Sequence, residues 1–133
     1  MKVMIDTNII ISAALFPNGT ASQAFLKALL PPYEPLICDY VLDELHRKFQ
    51  EKWPDKIDTL NEFLSHALQY IKVVPTPQRK ISAESLIRDV KDRPILRAAL
   101  SEHADLFLTG DKDFLESSVI NPHIISASFF LSK

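Results

Sequence analysis

A single cysteine, Cys38, is all the sulfhydryl chemistry the 133 residues contain. No disulfide framework can therefore hold the fold, and the mark of an exported, cross-linked domain is missing. Cys38 lies in the apolar run Leu36-Ile37-Cys38, the setting of a buried, inert thiol rather than a nucleophile or ligand. No apolar run approaches the ~20 residues of a membrane span, and the N-terminus lacks a signal-peptide pattern. The expectation is a soluble cytoplasmic protein with no membrane partner. A basic excess is also missing: 15 Lys and Arg face 17 Asp and Glu, for a formal net charge of -2. That excludes a broad basic surface binding nucleic acid by charge alone. It leaves room for a local patch, because residues 79–97 hold six basic side chains against three acidic ones. The four histidines, His46, His66, His103 and His123, are scattered without ligand spacing and carry no catalytic signal. There is no repeat, low-complexity tract or linker.

What is present is a core. With 47% hydrophobic residues, the chain is long enough for one domain over residues 1–133 and too short for two ordinary ones. Lys2-Val3-Met4-Ile5 reads as a buried strand that runs into Asp6-Thr7-Asn8. Leu106-Phe107-Leu108 repeats the design, opening into Thr109-Gly110-Asp111-Lys112-Asp113. Further short strands are expected at Leu36–Cys38, Tyr70–Val74 and, at an edge, His123–Ser126. Helical spacing fills the intervals. Ala21, Ala24, Phe25, Ala28 and Leu29 make one apolar face behind a Thr20/Gln23 capping box. Asp39 suits the N-cap of a helix through Val41, Leu42, Leu45 and Phe49. Another helix spans about Asp55 to Gln69, and a short one covers 82–88. Asp92 fits the N-cap of a helix with Pro94 in its first turn. Strand and helix alternate throughout, which predicts an α/β fold, a three-layer sandwich around a mainly parallel sheet of four to five strands.

The acids are distributed with equal regularity. Asp6, Asp111 and Asp113 leave strand ends, the rim where open α/β sheets bind ligands. Glu44 and Asp92 belong to helix starts that follow other strands. Of the neighbours Asp43 and Glu44, helical geometry puts Glu44 about 60° from Val41, at the margin of the apolar face, and turns Asp43 away. Each acid taken alone is adequately explained as a cap, turn or surface residue. Together on one rim they would repel and raise each other's pKa unless a cation balanced them. An all-oxygen set without paired His or Cys suits Mg²⁺ or Mn²⁺. Such a site can activate water and stabilise charge at a phosphodiester, so the chemistry indicated is hydrolysis by in-line displacement. Asn8 and Thr109, with Thr7 between the strand acid and Asn8, are supporting polar candidates.

Asp6-Thr7-Asn8 after the first strand, Glu44 early in a helix, Asp92 ahead of Ile95-Leu96 and Ala98-Ala99, and Thr109-Gly110-Asp111-Lys112-Asp113 together resemble the PIN-domain ribonucleases. The resemblance covers nearly the whole chain in order. It implies an α/β/α sandwich and a Mg²⁺- or Mn²⁺-dependent endoribonuclease leaving 5′-phosphate and 3′-hydroxyl ends. It also implies the toxin of a toxin–antitoxin pair, with RNA as substrate, an antitoxin protein as partner and, in many relatives, a homodimer. Asp6, Glu44, Asp92 and Asp111 match the family's acidic quartet, and Asp113 an additional acid. Asp89 competes with Asp92 for the third place. Arg93, Arg97 and Lys112 are the basic residues nearest these acids in sequence, hence the candidates for RNA phosphate contact. Haloacid-dehalogenase-like phosphatases also begin with a strand-end Asp, but they place a second acid where this chain has Asn8. A non-catalytic binding module that keeps the acids as caps is the other alternative, distinguished by indifference to loss of Asp6 or Asp111.

Overall fold

Val3, Met4 and Ile5 have no exposed surface in the computed structural model, which describes residues 1–133. They form β1 (Lys2–Ile5), the middle strand of a five-stranded sheet ordered β3-β2-β1-β4-β5. β2 (Glu34–Cys38) and β4 (Leu106–Leu108) flank it, and β3 (Lys72–Val74) and β5 (His123–Ile125) are the edges. All four pairings are parallel: Val3 sits between Pro35 and Leu106, and Met4 between Leu36 and Phe107. Central strands of such a sheet bury both faces, which is why these segments read as unbroken apolar runs.

From β1 the chain steps outward through β2 to β3, then crosses back to β4 and β5. Right-handed crossovers therefore put α1 (Thr7–Leu15), α2 (Thr20–Ala28), α3 (Asp39–Lys52) and α4 (Ile57–Ala67) on one face. The return places α5 (Arg93–Ser101) and α6 (Lys112–Leu115) on the other, while α7 (Ala127–Leu131) packs on α2. This is the expected α/β/α sandwich, and its sheet is wholly parallel. The 34 buried hydrophobic side chains form one connected cluster, so every layer shares a core. Aromatic pairs fasten the helices to it, with ring centroids of Phe107 and Phe114 4.5 Å apart and those of Phe25 and Phe63 5.3 Å apart. No single helix is long and apolar enough to cross a membrane.

Two caps differ from the sequence expectation. Gly19, not Thr20, is the N-cap of α2; its carbonyl accepts the Gln23 amide at 3.1 Å, so Thr20 is already inside the first turn and the capping box does not form. Cys38 holds the cap position of α3, and Asp39 inside the helix accepts instead from Thr76, backbone N at 3.0 Å and Oγ1 at 2.6 Å. That pair ties the start of α3 to the exit of β3. The 82–88 stretch is a tight 3₁₀ turn over Ser82–Leu86 rather than an α-helix. Glu84 within it binds its own turn through Ile81 N and binds α5 through Arg97.

Candidate active site

The sheet reverses its winding between β1 and β4, and open α/β sheets bind ligands in the crevice at such a switch point. Asp6 leaves β1 there and Asp111 follows β4. Asp6 is buried, and each of its oxygens is fixed: Oδ1 accepts the Thr7 amide at 2.8 Å, and Oδ2 accepts the Thr109 hydroxyl at 2.6 Å. The Thr109 oxygen in turn accepts the Asp111 amide at 3.0 Å. One fully buried hydroxyl thus joins the two strand exits. Asp111 caps α6 by accepting from Asp113 N at 2.9 Å. The cap role anticipated for both acids is real.

Glu44 comes from α3. It is 7% exposed although charged, whereas Asp43 beside it faces solvent. Thr7 Oγ1 donates to its Oε1 at 2.5 Å, so the first residue of α1 orients the acid of α3. Asp92 stands at the N-cap position of α5 with its side chain making no cap hydrogen bond. Capping does not account for it. Its carboxyl turns toward the other acids.

The electrostatics follow from that crowding. Burial pushes the Asp6 carboxyl up to about 6, with the Thr109 and Thr7 hydrogen bonds opposing and the charges of Asp111 and Glu44 adding to the rise. Asp92 is pushed up to about 8, first by desolvation, then by a hydrogen bond with Asp111 and the charges of Asp6, Asp111 and Asp89. A carboxyl that keeps its proton near neutral pH is short of positive charge. Four acids with no His or Cys among them fit a hard divalent cation, whose charge would oppose both rises.

All four acids line one cleft of about 240 Å³, completed by Thr7, Asn8, Lys48, Asp89 and Lys91. Asp113 lies outside it. One of its oxygens accepts from Arg88 at 2.7 Å, yet its carboxylate lies within 4.8 Å of those of Asp89 and Asp92. Both contenders for the third acid are therefore present. Asp92 is the half-buried one under pressure from the others; Asp89 is exposed and caps its own turn through Lys91 N at 2.9 Å.

The basic candidates fare differently. The Arg97 guanidinium is buried and forks onto Glu84, Nε to Oε2 at 2.8 Å and Nη2 to Oε1 at 3.0 Å, with Nη1 on the Pro77 carbonyl at 2.6 Å. It faces the core because α5 buries Leu96, Arg97 and Ala98 together, so it is not a phosphate contact. Arg93 donates its Nε to the Ile87 carbonyl at 2.9 Å and does not line the cleft, nor does the exposed Lys112. Lys48 and Lys91 do line it, and sequence reasoning passed over both. A signal existed for Lys48, which is four residues beyond Glu44 on the same helical stripe.

Comparison with known proteins agrees with this architecture. The family model described as PIN domain matches residues 2–113. Among solved structures, VapBC2 from Rickettsia felis, bound to a DNA fragment from their promoter, is similar in fold at a TM-score of 0.72 and 16% identity, with 95% of this chain and 98% of that one covered. No curated protein sequence matches the chain.

Proposed function

Because the chain belongs to the PIN-domain family, we propose that it is an endoribonuclease that hydrolyses RNA phosphodiester bonds with Mg²⁺ or Mn²⁺, the toxin of a toxin–antitoxin pair. The observation that carries this reading is the convergence of Asp6, Glu44, Asp92 and Asp111 on one cleft. A divalent ion held by these four, with Asp113 beside them, would supply balancing charge, activate a water and stabilise charge growing on the attacked phosphate. The chain's own part is preorganisation. Thr7 and Thr109 fix the Glu44 and Asp6 carboxylates before any ligand arrives, and Asp92 would complete the set that holds the ion. Asn8 presents an exposed amide at the mouth of the cleft, suited to orient a water or a phosphate oxygen. The products would carry 5′-phosphate and 3′-hydroxyl ends. Family likeness, together with the fold shared with VapBC2, supports a single nuclease domain over residues 1–133, an antitoxin protein as partner, a homodimeric state and a cytoplasmic location.

The test is cleavage of a mixed-sequence RNA by purified protein with Mg²⁺, with Mn²⁺ and with chelator, alongside Asp6→Asn. Wild-type cleavage is expected only with metal, and the variant is expected to remain folded and inactive. Metal-independent cleavage by Asp6→Asn would refute the reading. A folded wild type that cuts under no condition would put a non-catalytic binding module in its place.

A further inference from the structure

Two lysines line the acid-lined cleft and pair with none of its carboxylates. Lys48 lines it from α3 and Lys91 from the 3₁₀ turn Val90–Asp92. The ion pairs of the protein are Met1 with Glu34, Arg88 with Asp113 and Arg97 with Glu84. Neither lysine is among them, and neither ammonium makes a hydrogen bond.

Their backbones are set with care. Lys48 is one helical turn beyond Glu44, about 6 Å along the axis and about 40° around it. That puts Lys48 on the same stripe of α3 as Glu44. Lys91 is clamped at both ends of its peptide: its N–H donates to Asp89 Oδ1 at 2.9 Å, and its carbonyl accepts the Tyr40 hydroxyl at 2.6 Å. Tyr40 belongs to α3, so one helix positions both lysines.

We propose that Lys48 and Lys91 are the phosphate contacts of this cleft, gripping the RNA backbone on either side of the phosphate that the acids engage. The proposal rests on the nuclease reading and relocates the strand path to the groove between α3 and the Val90–Asp92 turn. A cation beside an acid cluster serves a polyanion in a way that a cation buried against one acid does not. It remains free to release counterions when phosphates arrive. Arg97, tied to Glu84, has no such freedom.

The experiment measures binding of a mixed-sequence single-stranded RNA to the Asp6→Asn protein in Mg²⁺ from 50 to 200 mM salt. Lys48→Gln, Lys91→Gln, the pair and, as control, Lys112→Gln are made in that background. Each lysine lost at a phosphate lowers the log–log salt slope by about 0.7. Over this fourfold range the double variant is expected to lose affinity about 7-fold less steeply than its parent, each single about 2.6-fold less, and Lys112→Gln the same as the parent. The salt dependence of kcat/KM for the same lysine variants with Asp6 intact gives a second reading. If both measures keep the parent slope in the double variant while wild-type cleavage stays metal-dependent, the proposal is overturned and the nuclease reading stands. Tighter Mn²⁺ binding by the double variant with an unchanged RNA slope would overturn it too, making the lysines counter-charges for the acids. Loss of metal-dependent cleavage by the wild type marks failure of the underlying reading instead.

Discussion

Replacing Asp92 by Asn should stabilise the protein in the absence of metal, and by an amount that depends on pH. The Asp92 carboxyl has its pKa raised from 3.8 to about 8 in the folded state, chiefly by desolvation and then by its contact with Asp111. The unfolded chain gives up that proton near its ordinary value, so between the two the unfolded state is the one that gains by ionising. Stability is therefore fully present below about pH 4 and is lost as pH rises through about 8. A shift of about 4 units corresponds to roughly 6 kcal/mol if nothing screens it. Water reaches this half-buried group, so about 2–3 kcal/mol is the realistic figure. Asn keeps the shape and carries no charge. Urea unfolding in chelator should then give matching stabilities at pH 4 and a variant about 2–3 kcal/mol more stable at pH 8.5. Magnesium at 1,000 times its Kd should reverse the ranking, because it then adds about 4.1 kcal/mol to the protein that binds it. A variant no more stable than wild type at pH 8.5 in chelator, or one with the same pH slope, would refute the account of the acid cluster.

Two further outcomes test the scaffold. Arg97→Ala leaves Glu84 charged, buried and unpaired and should cost about 3–5 kcal/mol in urea unfolding, while Arg97→Met with Glu84→Gln recovers most of it; a loss under about 1 kcal/mol for the single change would show the pair to be dispensable. Gly110 has no left-handed φ, and nothing lies within 4 Å of where a Cβ would stand. Gly110→Ala should leave Tm unchanged or raise stability by about 0.4–1 kcal/mol, and a clear drop would mean that the turn depends on glycine after all.

The sequence carries the strands plainly because parallel, doubly buried strands leave uninterrupted apolar runs, as at Val3–Ile5 and Leu106–Leu108. The choice of Glu44 over Asp43 was also legible, since at 100° per residue Glu44 falls about 60° from Val41 and Asp43 about 160° from it. Caps were less legible. Thr20 looked like a cap because its hydroxyl and Gln23 have the right spacing, but a glycine one residue earlier took the position through its backbone alone. Arg97 misled for a related reason: a charge between Leu96 and Ala98 reads as exposed until Glu84, 13 residues away, is seen to turn inward and meet it. Lys91 was invisible in the sequence, because its place in the cleft depends on Tyr40, 51 residues distant. For Arg97 and Lys91, what stayed hidden was a pairing between segments apart in the chain.

The threonine that joins Asp6 to Asp111 does so across 103 residues of sequence. During synthesis, Asp6 leaves the ribosome and waits for a further 103 residues before Thr109 can reach it. Until then there is no cleft. A cleft assembled from the first strand and the fourth is in this sense a timing device: it closes only once translation of the domain has passed Thr109.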